Sequence, residues 1–431
     1  MVLGQAEYRR FTAIYKVHQY VRTHLEILAM NHYQACIILL SILFLITSTS
    51  GLPTPDEWRT TAYGHFSSLT KEDVDPFIST LITYNQSKGM VVVLVDRDGY
   101  CWYSYGTLTT KDDDSPDNRT LFDIGSVSKV MTGLLMADGE IRGEYNLTAP
   151  VNTWLPDQYH LNGEGQTITG ADLATHRSGL PVTPEVFALT DPAATGADQL
   201  EESMRHYQTM TADETYQWLA NTTLYSPPGY EYLYSNLGGA VAGDSIARAA
   251  GVPYPQLFEE RIAIPLDMTS TGASWTIEDL NRRATGYRGY EYPADEAHLI
   301  RFNEFWTATG GIHSNADDMA VFLAAQLGLI ETPLVDAIAM THTPRFTAYT
   351  GPPLLEQGIF WDILHNRDGT IIIKKPGETN AHQAVIAFNP TMGAGVVILS
   401  NTATVGGTHV EGQAIALLER MQVKKQNQKS V

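Results

Sequence analysis

The sequence predicts an α/β protein: a five-stranded antiparallel sheet flanked by N- and C-terminal helices, with an inserted, mainly helical subdomain. Three observations predict this fold class. Strand patterns lie towards both ends of the globular part of the chain, helical patterns fill its middle, and a last helical pattern follows the final strand. Strands from both ends can share one sheet only if the middle of the chain forms an insertion.

The first two strands form a predicted hairpin. Residues 89–95 (GMVVVLV) and 100–108 (YCWYSYGTL) are apolar and aromatic runs on either side of a turn that contains Asp98-Gly99. Asp-Gly between two such runs is a strong hairpin signal, because glycine accepts the positive φ that a tight turn requires. This hairpin is the N-terminal contribution to the sheet.

The middle of the chain and its C-terminal part follow different patterns. Residues 211–220 and 316–327 are typical of helices, whereas turn-forming Pro, Gly and Asn residues divide the later sequence into strands. Three strands and a closing helix are predicted there, at residues 370–375, 382–388, 395–400 and 410–423. We therefore expect one domain at residues 60–425, with α/β parts at about 60–125 and 346–425 and a helical part at about 126–345.

The N-terminus carries a predicted export signal rather than part of the fold. Residues 35–46 are mostly apolar and precede a run of small polar residues, a pattern too short for a membrane span but typical of a signal peptide. We therefore interpret residues 1–51 as an N-terminal extension and signal peptide, with Met30 as the alternative start. A secreted or extracytoplasmic protein is expected, with an uncleaved N-terminal anchor as the alternative.

The composition is that of a globular, acidic protein. Hydrophobic residues make up 43% of the chain, charged residues make up 18%, and the net charge is −20. Phosphate contacts need clustered Lys and Arg, so this charge argues against a nucleic-acid partner. No membrane-spanning helix is expected after removal of residues 1–51, and residues 426–431 are predicted to be a polar tail.

A serine and a lysine three positions apart form the first candidate site. Ser126 and Lys129 lie in the stretch FDIGSVSK, and on a helix this spacing places both side chains on one face. A serine hydroxyl is a poor nucleophile unless a base lies within hydrogen-bond reach. The motif alone is common by chance, so a surface helix remains the alternative until other residues support the pair.

Two further motifs supply such residues. Tyr234-Ser235-Asn236 follows a Pro-Pro-Gly turn and offers a phenol as a proton relay and an amide as a hydrogen-bonding group. Lys375-Pro376-Gly377 ends a predicted strand, where a glycine lets a substrate backbone approach close to a positive charge. A third stretch, LATHRSGLP at residues 173–181, is interpreted as a helix end with a glycine stop.

In this order and spacing, the motifs resemble those of the serine β-lactamase and penicillin-binding protein superfamily. The resemblance is strongest to class C β-lactamases and to D-alanyl-D-alanine carboxypeptidase, endopeptidase and esterase relatives, and it extends from about residue 75 to 420. It implies the β-lactamase/transpeptidase-like fold. It also implies a substrate, either a small molecule or a peptide, with an amide, ester or lactam carbonyl.

The resemblance assigns the roles of the catalytic residues. Ser126 would be the acylated nucleophile and Lys129 its base, Tyr234 would pass a proton to the leaving group, and Asn236 would orient Lys129 and the substrate amide. Because cations lie nearby, we expect the pKa values of both Lys129 and Tyr234 to be lowered. The implied substrate-binding residues are Lys375, Gly377, Glu378 and Asn380, with the backbone N–H groups of Ser126 and Glu378 as the oxyanion hole.

Pro376 departs from the family pattern, which usually has Thr or Ser between Lys and Gly. Proline supplies neither the hydroxyl that binds a substrate carboxylate nor an N–H, and Glu378 adds a carboxylate that would repel an anionic substrate. Thr379 and Asn380 are candidates to compensate in part. The first hypothesis is a β-lactamase or D-Ala-D-Ala peptidase, the second an esterase or other acyl hydrolase, and the third a non-catalytic binding homologue.

Other chemistries have little support in the sequence. No G-x-S-x-G elbow surrounds a serine, because Lys129 follows Ser128 where that motif needs glycine. No H-E-x-x-H motif or paired cysteine ligands occur, and the 13 histidines are scattered along the chain. The prediction therefore includes no metal and no cofactor.

Overall fold

The computed structural model describes residues 51–84, 87–109, 113–161, 167–187, 196–288, 295–297, 299–403 and 409–429. The predicted export signal, with its alternative start at Met30, lies outside these residues and stays a prediction. Within the described ranges, no helix is both long enough and apolar enough to cross a membrane.

Helices precede the sheet, fill the middle of the chain and close its C-terminal end. In chain order they are α1 (Pro55–Thr61), α2 (Lys71–Thr83), α3 (Ser128–Ile141), α4 (Gly170–Ala174), α5 (Gly196–Thr209), α6 (Ala212–Leu219), α7 (Asn236–Ala250), α8 (Tyr254–Phe258), α9 (Ile277–Arg282), α10 (Glu304–Gly310), α11 (Ala316–Gln326), α12 (Val335–Thr341) and α13 (His409–Lys429).

The strands form one large antiparallel sheet and smaller pairings beside it. In chain order they are β1 (Gly89–Val95), β2 (Tyr100–Gly106), β3 (Phe122–Asp123), β4 (Tyr287–Arg288), β5 (Asp295–Glu296), β6 (His313–Ser314), β7 (Phe346–Tyr349), β8 (Leu354–Gln357), β9 (Asp362–His365), β10 (Ile371–Glu378), β11 (Gln383–Asn389), β12 (Ala394–Ser400) and β13 (Thr402–Ala403). The large sheet has the order β2-β1-β12-β11-β10-β9-β8-β7.

The predicted fold class is confirmed, but the predicted number of strands was wrong. All five predicted strands are present as β1, β2, β10, β11 and β12, and they are neighbours in the sheet. The sheet has eight strands because β7, β8 and β9 extend it beyond β10. These three are only four residues long and partly exposed, so they lack the apolar runs that identified the other strands.

Both faces of the sheet are buried. Along β1, Val91, Val93 and Val95 belong to the core beneath the helical subdomain, whereas Met90, Val92 and Leu94 belong to a second core. That second core also contains apolar residues of α2 and α13, so the two terminal helices cover the opposite face. Successive side chains of a strand point to opposite faces, and a central strand covered on both sides is therefore apolar throughout.

The closing helix is longer than the sequence predicted. It was expected at residues 410–423 and runs over His409–Lys429, so most of the predicted polar tail is helical. Arg420 and Lys424 of α13 both form ion pairs with Asp73 of α2. These charges tie the polar end of α13 to α2.

Candidate active site

Ser126 lies at the junction between β3 and α3, in a short 3-10 turn at Gly125–Val127. Gly125 has a φ of 52°, which side chains rarely allow, and a Cβ there would lie 2.5 Å from the backbone nitrogen of Glu378. A Cβ on Gly377 would lie 2.1 Å from the carbonyl oxygen of Ile124. The two glycines therefore let the end of β10 pass directly against the turn that carries Ser126.

Lys129 is fully buried on the first turn of α3. Its Nζ lies 2.9 Å from Ser126 Oγ, 2.7 Å from Asn236 Oδ1 and 2.6 Å from the carbonyl oxygen of Thr309. Burial, together with the charge of Lys375, holds the pKa of Lys129 well below its usual value. This confirms the direction expected for the lysine.

The neighbours of Lys129 determine where an uncharged amine directs its lone pair. The oxygens of Asn236 and Thr309 can only accept hydrogen bonds, so they take both N–H groups of a neutral amine. The remaining tetrahedral position of Nζ, which holds the lone pair, then faces Ser126 Oγ. This arrangement suits a general base acting on the serine hydroxyl.

Tyr234 lies on the other side of the serine, with its hydroxyl 2.7 Å from Ser126 Oγ. The expectation of a lowered pKa for Tyr234 was wrong. Burial raises the pKa of the phenol far above its usual value, and the negative charge of Asp362 adds to the effect. Tyr234 therefore remains a phenol, and either hydroxyl can donate the hydrogen bond between Tyr234 and Ser126.

Two hydrogen bonds of Ser235 hold the segment that carries Tyr234 and Asn236 in place. Ser235 caps α7, because its Oγ accepts the N–H of Gly238 at 2.8 Å. On the other side, His176 Nδ1 accepts the N–H of Ser235 at 3.2 Å, and its ring lies 4.4 Å from that of Tyr234. The sequence interpretation of residues 173–181 as only a helix end missed this role of His176.

Lys375 extends from β10 to the same group of side chains. It is buried, and its Nζ lies 5.4 Å from the ring centroid of Tyr234. Burial lowers the pKa of Lys375, although the carboxylate of Asp362 acts in the opposite direction. The structure thus brings Lys375 together with Ser126, Lys129 and Tyr234.

The residues after Gly377 complete β10 and form the turn that connects it to β11. Glu378 is half-buried at the end of β10, and its backbone lies against Gly125. Thr379 Oγ1 accepts the N–H groups of Ala381 and His382 at 3.3 and 3.1 Å, so its oxygen holds the connection to β11. Asn380 is buried in the same connection, at 2% exposure.

Several residues around this site carry no motif of their own and could not be predicted from the sequence. The carbonyl of Thr309 and the hydroxyl of Tyr207 contact Lys129 and Asn236, yet they come from α10 and α5, far away in the chain. No group of three or more metal-binding side chains occurs among the residues that the structure describes.

Comparisons with known proteins identify the family of the chain. A family model described as Beta-lactamase matches residues 74–419. The D-alanyl-D-alanine-carboxypeptidase/endopeptidase AmpH of Escherichia coli (strain K12) is 26% identical over 247 residues, which cover 57% of this chain and 59% of the relative. A beta-lactamase of Providencia stuartii is 27% identical over 279 residues, covering 64% of this chain and 65% of the relative.

Solved structures share the fold. The beta-lactamase/D-alanine carboxypeptidase from Yersinia pestis complexed with citrate has a TM-score of 0.67 at 21% identity, covering 82% of this chain and 97% of that one. A class C beta-lactamase in complex with cefoxitin has a TM-score of 0.65 at 20% identity. The chain matches less than two thirds of the length of the two relatives named above, but the family model covers most of the chain. The chain belongs to the beta-lactamase family.

Proposed function

We propose that the protein is a serine hydrolase of the β-lactamase and D-alanyl-D-alanine carboxypeptidase type, and that it forms an acyl-enzyme on Ser126. The observation that carries the proposal is the environment of Lys129. Its Nζ lies within hydrogen-bond distance of Ser126 Oγ and of two acceptor oxygens, those of Asn236 and Thr309, so a neutral amine can donate to these two and keep its lone pair for the serine proton. A buried lysine held in this way serves as a base near neutral pH.

The first half of the reaction acylates the serine. Lys129 Nζ takes the proton of Ser126, and Oγ attacks the substrate carbonyl carbon to give a tetrahedral oxyanion. The backbone N–H groups of Ser126 and Glu378 are the proposed donors to that oxyanion, and each such donor contributes about 3–4 kcal/mol. The bond to the leaving group breaks as Tyr234 gives it a proton, and the ammonium of Lys129 replaces the proton on Tyr234. Water then attacks the acyl carbonyl carbon, the bond from this carbon to Ser126 Oγ breaks, and Oγ takes up one of the water protons, which releases the acid product and restores the serine.

An esterase or other acyl hydrolase is the second candidate, and one segment of β10 favours it. Pro376 brings no hydroxyl to the place where a substrate carboxylate would bind, and the carboxylate of Glu378 follows two residues later in the chain. Thr379 follows Pro376 by three residues, and its oxygen holds the connection to β11 by accepting two backbone N–H groups. A neutral ester avoids both the missing hydrogen bond and the repulsion.

Intact-mass analysis after incubation with a penicillin, combined with hydrolysis of a short-chain nitrophenyl ester, tests the proposal. Acylation by a penicillin adds the whole mass of the molecule to the protein, because the opened lactam keeps its leaving group attached. Ser126→Ala should abolish the adduct and lower turnover at least about 10⁴-fold. An adduct supports the first candidate, and ester turnover without an adduct supports the second.

Ser128→Ala is the matched control. Ser128 lies two positions further on, and its Oγ accepts the N–H of Ile312 at 3.2 Å. Its loss should cost about 1–2 kcal/mol of stability and leave acylation in place. If the wild-type protein gives neither adduct nor ester turnover, the proposed function is wrong and the protein is a non-catalytic homologue.

A further inference from the structure

An aromatic side chain outside the recognised motifs lies beside the turn that carries Ser126. A Cβ on Gly310 would lie 3.4 Å from Cε1 of Phe302 and 3.8 Å from the carbonyl carbon of Gly125. That carbon is bonded to the backbone nitrogen of Ser126, so the edge of the Phe302 ring lies within about 8.5 Å of this nitrogen. Phe302 is only half-buried. An apolar ring with accessible surface is therefore close to the nucleophile.

A second contact places Phe302 on the same side of the site as Asn236. The ring centroids of Phe302 and Tyr207 are 4.8 Å apart, and the hydroxyl of Tyr207 lies 2.9 Å from the side-chain amide nitrogen of Asn236. The same amide lies 2.7 Å from Lys129 Nζ. Phe302 therefore adjoins the catalytic residues in two directions, through Gly310 and through Tyr207.

Val182 extends this apolar surface on the other side of Asn236. Its carbonyl oxygen accepts the N–H groups of Asn236 and Leu237 at 2.9 and 3.0 Å, so Val182 lies against the start of α7, and it is 52% exposed. Single exposed apolar residues are common on proteins, but an accessible apolar lining beside convergent polar groups is typical of small-molecule sites. We call Val182, Tyr207 and Phe302 the apolar wall.

The proposed reaction leaves one substituent of the substrate to face this wall. In the tetrahedral intermediate, the reacting carbon carries Ser126 Oγ, the oxyanion, the leaving group and the rest of the acyl group. The backbone N–H groups of Ser126 and Glu378 receive the oxyanion, and Tyr234 protonates the leaving group. The rest of the acyl group then extends along the remaining side of the site, which Asn236 and Gly310 form.

We propose that the acyl group of the substrate ends in an apolar substituent about the size of a benzyl group, and that Phe302 is the specificity-determining residue that packs against it. This inference rests on the proposed function, because it concerns the acyl group that Ser126 receives. Contact with Phe302 and Val182 removes apolar substrate surface from water, and contact between two rings adds to the gain. An acetyl group is too short to make these contacts.

Two nitrophenyl esters with the same leaving group, the phenylacetate and the acetate, test the inference. The measured quantity is the ratio of their kcat/KM values, after each value is divided by the rate of hydroxide-catalysed hydrolysis of that ester. The wild-type protein should prefer the phenylacetate at least about tenfold. Phe302→Ala should lower this preference at least about fivefold, whereas Phe302→Leu, which keeps an apolar side chain, should retain part of it. Partial unfolding lowers both rates equally, so the ratio reports recognition and not the amount of folded protein.

Phe66→Ala is the matched control. Phe66 is also a half-buried phenylalanine, but it packs against the second core, on the other face of the sheet. Its loss should leave the ratio within about twofold of the wild-type ratio, because the two sites share no contacts. Hydrolysis of both esters with a ratio that Phe302→Ala does not change would overturn the inference and leave the proposed function intact.

Binding of phenylacetamide to Ser126→Ala gives a readout that needs no turnover. This neutral amide carries the same acyl group, and NMR titration measures its dissociation constant. Phe302→Ala in the same chain should raise that constant at least about fivefold, and an unchanged constant would overturn the inference. A raised constant in a protein that acylates with neither an ester nor a penicillin would support the role of the apolar wall and refute the proposed function.

Discussion

At the scale of the residue, Pro376 controls the chemistry of substrate recognition in the proposed function. It lies between Lys375 and Gly377 on β10, in a segment that pairs with β11. The pairing of β10 with β9 ends at Lys374. Beyond that residue, the edge of β10 that does not pair with β11 faces the turn that carries Ser126. Proline fits a strand edge, where its missing N–H removes no sheet hydrogen bond, but it also removes a polar contact from the site.

Pro376→Thr should therefore increase reactivity with anionic substrates. A hydroxyl that donates to a carboxylate contributes about 1.5–3 kcal/mol, which corresponds to about 10- to 100-fold in the second-order rate of acylation by a penicillin. The measurement is the rate of adduct formation by mass spectrometry, with turnover of a neutral ester as the control reaction. Equal changes for the penicillin and the ester would show that Pro376 affects the site as a whole and not carboxylate recognition.

At the scale of the element, a buried ionic cluster fastens β3 to the turn after β10. Arg283 donates to Asp123 Oδ2 at 2.7 Å, and His382 Nδ1 accepts the N–H of Asp123 at 2.8 Å. Asp123 precedes Ser126 by three residues, and His382 follows Glu378 by four. The cluster therefore holds together the two segments that carry the proposed oxyanion donors.

Arg283→Met should destabilise the protein strongly, because it leaves the buried carboxylate of Asp123 without its ion-pair partner. The expected loss is about 3–5 kcal/mol in the free energy of unfolding, measured by urea denaturation at pH 7. Asp123→Asn in the same chain should restore part of the loss, since it removes the unpaired charge. A loss below about 1 kcal/mol would contradict a stabilising role for the ion pair.

The sign of the pH dependence follows from the pKa of Asp123, which the charge of Arg283 lowers against the effect of burial. A carboxyl group with a lowered pKa in the folded state stabilises the protein above its ordinary pKa and loses this contribution in stronger acid. The difference in free energy of unfolding between the wild-type protein and Arg283→Met should therefore persist from neutral pH down to the ordinary titration range of aspartate. It should decrease in stronger acid.

At the scale of the whole molecule, the sequence predicted the central sheet and the candidate site residues that the structure brings together, but not the contacts that support them. The five long strands were predictable because both sheet faces are buried, and Ser126, Lys129, Tyr234 and Asn236 were predictable because they occur in ordered motifs. Tyr207, Thr309 and His176 were not, since their roles come from tertiary contacts between distant segments.

Buried histidines predict how the stability of the molecule depends on pH. Burial is the largest effect that lowers the pKa values of His176, His313 and His382, and it brings that of His313 to about 4. The unfolded chain takes up these protons below about pH 6.5, but the folded protein does not, so acidification favours unfolding. Asp318 opposes this trend in part, because burial raises its pKa to about 6.

Thermal unfolding at pH 7.5, 6.5 and 5.0 should show a steady decrease in melting temperature. With a folded pKa of about 4, His313 alone accounts for about 1.6 kcal/mol of lost stability between pH 6.5 and 5. His313→Gln removes one of the titrating groups and should reduce the slope of stability against pH. A melting temperature that stays constant or rises on acidification would show that these histidines are protonated in the folded protein.

The pairing of β1 with β12 has a consequence for folding during synthesis of the chain. Met90 pairs with Ser400, so the hairpin of β1 and β2 leaves the ribosome long before the strand that completes its edge. During that interval the apolar strand GMVVVLV has backbone groups available to any other extended chain. The central sheet forms after most of the polypeptide has been synthesised, and until then the nascent chain depends on protection from aggregation.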